Sequence, residues 1–101
     1  MLNQIIIVGK LVDIKPIDDL FYYAYIRVDR PFKELKGGYK IDILPVKIWK
    51  GIMKSLNKEK YSGFLCSVGG RIEVEDDDKL TLVAEKFEFL GRQDRFIKGG
   101  K

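Results

Sequence analysis

Ile41-Asp42-Ile43-Leu44-Pro45-Val46-Lys47-Ile48-Trp49-Lys50 alternates with a period of two. Leu44, Val46 and Ile48 fall on one side, and Ile43, Pro45, Lys47 and Trp49 fall on the other. Successive side chains of a β-strand point to opposite faces, so the first set is predicted to enter a core. The second set then forms an outward row ending in the chain's only tryptophan, with a lysine two residues before it. A broad π-face beside a cation on a wetted sheet surface suits stacking of a nucleobase and retention of its phosphate. Taken alone, the strand is better explained by a tryptophan capping the core edge and a solvated lysine, since single exposed aromatics are common. The remainder of the chain shifts that balance.

The 101 residues suffice for one domain with a single core. Hydrophobic content of 46% beside 34% charged residues describes a globular protein, neither disordered nor membrane-embedded. The longest apolar run, Ile5-Ile6-Ile7-Val8, falls far below the ~20 residues of a membrane span, and no export signal is read at the N-terminus. A lone Cys66 cannot form an internal disulfide, which fits a reducing cytoplasm. Without histidine and with one cysteine, neither a conventional zinc site nor a Ser-His or Cys-His nucleophile pair can be assembled. No phosphate-cradling loop of the G-x-x-x-x-G-K type is present either. The expectation is a binding protein, not an enzyme, without metal or cofactor.

The net charge of +4 is unevenly placed. Residues 30–60 carry nine Lys or Arg against three acids, whereas residues 73–88 carry seven acids against two lysines. A segregated basic half is the footprint of a polyanion-binding face. Charge alone does not decide between that face and a solvated lysine-rich surface.

Along the chain, Gln4–Val12 is rich in β-branched residues and reads as a first strand, with Gly9 as a bend or bulge. Asp13–Leu20 reads as a loop. Phe21–Asp29 is a second strand, with Ala24, Ile26 and Val28 on one side and Tyr23, Tyr25 and Arg27 on the other. Arg30-Pro31-Phe32 then leaves the strand, and Lys33–Lys40 forms a lysine-rich hairpin whose Gly37 and Gly38 can take positive φ. After the opening stretch, Lys50–Lys60 places Ile52, Met53 and Leu56 at helical spacing, a short helix lying on the protein. Gly63–Glu75 returns to strand, with Cys66 a small buried hydrophobe and Gly69-Gly70 marking a sharp bend. Asp76-Asp77-Asp78-Lys79 makes an acidic turn that resists edge-to-edge association and lacks the interleaved oxygens of a calcium loop. In the last strand, Leu80–Leu90, the apolar parity changes between Ala84 and Phe87, which predicts a bulge near Glu85-Lys86. Residues 1–90 are thus read as one domain, and 91–101 as a short, basic, flexible tail.

Five strands with one short helix between the third and fourth form the element order of an oligonucleotide-binding (OB) barrel, an all-β fold. The chain resembles the core domain of the bacterial single-stranded DNA-binding proteins. The resemblance is carried by Asn3–Leu11, Val28-Asp29-Arg30-Pro31-Phe32, Asp42–Trp49, Gly70-Arg71-Ile72-Glu73 and Val83–Leu90, in order and at family-like spacing. It implies that single-stranded DNA wraps the barrel, with bases stacked on aromatics at Phe32 and Trp49 and phosphates held by loop lysines. Three departures stand out. Ile43 replaces one aromatic of the family. The hairpin joining the last two strands is cut down to the acidic turn, with Asp77 near a stacking position, so no DNA contact is assigned there. Tyr22, Tyr23, Tyr25 and Tyr39 are candidates to compensate. The chain given ends in a basic stretch where the family has an acidic, hydrophobic tip.

The expected function is sequence-independent binding and protection of single-stranded DNA in replication, recombination or repair. Phe32, Trp49, Tyr23, Tyr25 and Tyr39 would stack bases, while Arg30, Lys33, Lys36, Lys40, Lys47, Lys50 and Arg71 would hold phosphates. The resemblance further implies a cytoplasmic, nucleoid-associated homo-oligomer, dimer or tetramer, built by pairing first strands. Two alternatives use the same barrel: an RNA-binding protein, and an accessory subunit of a helicase, primosome or polymerase, for example from a mobile element.

Overall fold

Five strands close a barrel, and the alternation read in the third gives way in the last to bulges. In the computed structural model, which describes residues 1–33, 35–52 and 61–92, the strands are β1 (Ile5–Pro16), β2 (Phe21–Lys33), β3 (Tyr39–Trp49), β4 (Phe64–Val74) and β5 (Leu80–Arg92). They close in the order β1-β2-β3-β5-β4, antiparallel at every seam except β3–β5. This is the five-stranded all-β barrel that the element order predicts. The helix predicted over Lys50–Lys60, with Met53 and Leu56, lies outside the described residues beyond Ile52; of the tail read over 91–101, Gly91 and Arg92 belong to β5 and the rest lies outside the described residues. Among the described residues, no helix is long and apolar enough to cross a membrane.

The core takes Leu11 from β1, Ala24 and Ile26 from β2, Val46 and Ile48 from β3, Cys66 and Val68 from β4, and Ala84 and Phe87 from β5. Full burial of Leu11, Ile26, Val46, Ile48 and Val68 contributes about 1.5–3 kcal/mol for each. An exposed ion pair contributes at most about 1 kcal/mol, so the inner face, not the charged surface, sets which way each strand turns. Beside the core, Tyr61 stacks on Phe89 at 4.1 Å, with Phe64 and Phe87 edge-on to Phe89. The Cys66 thiol donates to the Gly9 carbonyl at 3.4 Å, and burial pushes its pKa up to about 12, so it is inert at neutral pH.

Several boundaries differ from the sequence reading. β1 continues past Val12 to Pro16, because Asp13–Pro16 pairs with Tyr22–Tyr25 of β2. The extra residue in β1 is Val12, not Gly9. Gly9 instead permits close approach, since a Cβ there would lie 2.3 Å from the Arg27 carbonyl oxygen. Arg30-Pro31-Phe32 stays within β2 as a wide register shift, opposite the single residue Lys40. That irregularity accommodates a proline, which has no N–H to donate to a ladder. Gly37 and Gly38 do take positive φ, at 90° and 80°. β5 carries two extra residues against β4: Glu85, facing the Gly69/Gly70 step as the parity change predicts, and Leu90, facing the Leu65/Cys66 step. Leu80, on the same parity as the buried Ala84, is exposed, and Thr81 is buried instead with its hydroxyl donating to Glu75 at 3.0 Å.

Gly70 is what makes the Glu85 bulge possible: a Cβ there would sit 1.9 Å from the Val83 carbonyl oxygen. Gly70→Ala should therefore cost about 3 kcal/mol of stability in urea unfolding, as overpacking against backbone does. Gly69→Ala, where the nearest side-chain atom is an ordinary 3.7 Å away, should cost less than about 1 kcal/mol.

Candidate nucleic-acid interface

Because Ala24, Ile26, Val46 and Ile48 take the inner face, the intervening residues of β2 and β3 face outward. Strand register carries one outer row across the whole sheet. Lys15 of β1 lies opposite Tyr23 of β2, and Tyr23 opposite Lys47 of β3. Lys47 then lies beside Val83 of β5, and Val83 opposite Arg71 of β4. Phe21 pairs with Trp49 on one side of this row, and Tyr25 with Pro45 and Arg27 with Ile43 on the other.

Cations and rings are interleaved on this face. The Lys47 ammonium stands 4.6 Å from the centroid of Phe21, and that of Lys15 stands 5.5 Å from Tyr25. Such contacts contribute roughly 0.5–1 kcal/mol at exposed sites, enough to hold a flexible ammonium over the sheet. The Tyr23 and Tyr25 rings lie 6.2 Å apart at 51°. They form one wall of a shallow groove of about 160 Å³, completed by Pro45, Lys79, Leu80 and Thr81.

The two aromatics singled out by the family resemblance lie far apart. Trp49 is 51% exposed, its six-membered ring lying against Gly51 and its strand partner being Phe21. Phe32 is 79% exposed at the other end of the β2–β3 ribbon. Phe32 lies beside Lys40 and Phe21 opposite Trp49, so nine steps of β3 separate the two ends, about 30 Å along a strand. Tyr39 and Lys40 begin β3 at that far end, with Lys33 opposite Tyr39, and Lys36 in the exposed turn between. Lys36, Tyr39 and Lys40 line a second concavity there with Leu35 and the two glycines. Lys50 leaves the outer row: its ammonium lies 5.0 Å above Tyr22, a ring packed against the core.

Arg27, Arg30 and Arg71 are each held by carboxylates. Arg30 donates two bonds to Asp42, at 3.0 and 3.1 Å. Arg27 pairs with Asp29 at 3.3 Å. Arg71 donates from Nε to Glu73 at 2.9 Å and from Nη1 to Glu85 at 3.0 Å, contacts that hold its pKa above the ordinary arginine value.

Sequence reading missed Lys15, Phe21 and Lys79. Lys15 was hidden by ending the first strand at Val12; its i, i+2 spacing from Asp13 would have placed it on the outer face of a longer strand. Lys79 falls in the acidic turn, to which the sequence reading assigns no contact, yet it borders the tyrosine groove with Leu80. Among the described residues, no three of His, Cys, Asp and Glu gather to hold a metal ion.

No protein-family model matches the chain, and no curated protein matches it. Several solved structures share its fold. It is similar to the dimeric N-terminal domain of the PriB protein from Thermoanaerobacter tencongensis, at 20% identity and TM-score 0.65, over 89% of this chain and 98% of that one. A small single-stranded DNA-binding protein from Mycoplasma pneumoniae is similar at 20% identity and TM-score 0.66, over 87% and 93%. A deletion variant of the single-stranded DNA-binding protein from Thermus aquaticus is similar at 20% identity and TM-score 0.63, over 91% of this chain and 52% of that one. At this identity the likeness establishes the OB barrel itself.

Two carboxylates link the face to pH. Asp18 accepts from the Leu20 and Phe21 amides at 2.7 and 3.0 Å. The Leu20 amide above all, then Phe21, Lys47 and Lys50, hold its pKa below the usual carboxylate value. The Arg30 fork lowers that of Asp42. Because both folded values lie below the unfolded ones, the stability they contribute is complete above about pH 4 and is lost as pH falls through the folded values. Asp18→Asn and Asp42→Asn should each flatten the acid limb of a stability-versus-pH curve and leave its shape above pH 6 unchanged. An unaltered acid limb in both would contradict the assignment.

Proposed function

We propose that this chain binds single-stranded nucleic acid, DNA foremost, without sequence preference, on the outer face of β2 and β3. The observation that carries this reading is the row Lys15–Tyr23–Lys47, cation, ring and cation in register across three strands, flanked by Phe21, Trp49 and Tyr25. Bases stack on the rings, and each stacked base contributes about 1–3 kcal/mol. Lysines 15, 47 and 79 meet the phosphates on the groove face, and Lys33, Lys36 and Lys40 extend the cationic track at the hairpin tip. Rings accept every base and nothing in the row is aimed at base edges, which is what sequence-independent coating requires. The two single-stranded DNA-binding proteins of like fold support the same reading. Protection of exposed strands during replication, repair or recombination in the cytoplasm is the role that follows.

The reading includes self-association through first strands. Ile5–Val8 pairs with β4 on one side and joins no ladder on the other among the described residues, and Ile6 and Val8 are exposed. An unpaired apolar edge is a template for a second strand. Val8→Glu with Ile6→Glu should convert a dimer or tetramer into a folded monomer in sedimentation velocity. A wild-type protein that sediments as a monomer would refute the pairing.

Fluorescence anisotropy with labelled oligo-dT tests the binding itself. Tyr23→Ala and Trp49→Ala should each weaken affinity about 5–150-fold with the fold intact by circular dichroism. Lys47→Ala should reduce the slope of log affinity against log salt by about 0.7. Unchanged affinity in both ring variants would overturn the reading, and stronger binding of oligo-U than of oligo-dT would reassign the ligand to RNA.

A further inference from the structure

The outer row ends in a residue whose surroundings differ from those of its lysines. Lys15 and Lys47 rest on rings, whereas Arg71, one position beyond Val83 in the same row, is gripped by Glu73 and Glu85. Two features of the fold produce that grip. Glu73 stands two residues along β4 and therefore on the same face as Arg71. Glu85 is the extra residue of the β5 bulge, which turns its carboxylate back across the strands, and the bulge exists because position 70 has no Cβ. All three side chains are open to water, Arg71 at 41%, Glu73 at 44% and Glu85 at 57% exposure.

A guanidinium fork recognises carboxylate and phosphate by the same geometry. Here two carboxylates surround one arginine, so that end of the row carries a local charge of −1 and repels a phosphodiester. We propose that Glu73 and Glu85 occupy the phosphate positions of Arg71, making it a masked contact that a bound strand reaches only by displacing them. Exposed ion pairs of this kind contribute at most about 1 kcal/mol, so displacement is feasible, and it lowers affinity without altering the stacking rings. The mask keeps the bound strand easily released at the β4–β5 end. This inference rests on the outer face being the binding face proposed above.

The test is a comparison in the full chain, using oligo-dT as probe over a salt series. Glu73→Gln with Glu85→Gln should raise affinity about tenfold at about 50 mM salt and steepen the salt slope by about 0.7, the signature of one added phosphate contact. The same pair of changes in an Arg71→Ala background should gain less than about twofold. Asp76→Asn with Asp78→Asn, which also removes two negative charges but touches nothing on Arg71, should likewise gain less than about twofold. Equal gains with and without Arg71, or from the turn variant, would show bulk charge and overturn the mask. Wild-type binding with no gain in the glutamine variant would overturn the mask and leave the proposed function standing. Failure of every protein, wild type included, to bind would overturn both.

Discussion

The structure depends on a constraint of the β2–β3 ribbon: one side is fully committed to the core. Ala24, Ile26, Val46 and Ile48 are completely buried, and with a side-chain period of two their neighbours have no choice but to face water. A slip of one residue would bury Lys47 and Tyr23 and expose two isoleucines, a change far costlier than any surface interaction could offset. The binding row is thus held in place by the hydrophobic interior beneath it. Its rings and cations need only be compatible with solvent.

The same logic explains how the charges divide. Lys15 and Lys47 rest over aromatic rings, which orient the ammonium without neutralising it. Arg30 and Arg71 sit among carboxylates, which both orient and neutralise them. The cationic character of the face therefore comes from its lysines, and the arginines shape its borders. Asp18, anchored by the Leu20 and Phe21 amides near Lys47 and Lys50, plays the opposite part, tempering the field at the Trp49 end.

Much of this was legible in the chain. The period of Ile41–Lys50 identified both faces of β3, and the break between Ala84 and Phe87 located the bulge at Glu85. Tyr23, Tyr25 and Lys47 could be placed outward from alternation alone, because their neighbours are small or aliphatic and bury without ambiguity. What stayed hidden depends on register between strands distant in sequence. Lys15 joins the row only because β1 runs on to Pro16 against Tyr22, where a proline and adjoining acids read locally as a loop. Lys79 approaches Tyr23 and Tyr25 only because β5 lies parallel to β3, a pairing no local pattern records. The Arg71 fork needs a bulge, a glycine and two strands at once. Phe32 and Trp49, both stacking positions by the resemblance, mark the two ends of one ribbon.

The most direct test of the account follows backbone amide resonances of the isotopically labelled protein while unlabelled oligo-dT is added. Shifts should concentrate at Lys15, Phe21, Tyr23, Tyr25, Lys47 and Lys79, with Leu65 and Ser67 on the β4 side unmoved. Shifts centred on the β1–β4 seam, with the tyrosine row silent, would contradict it.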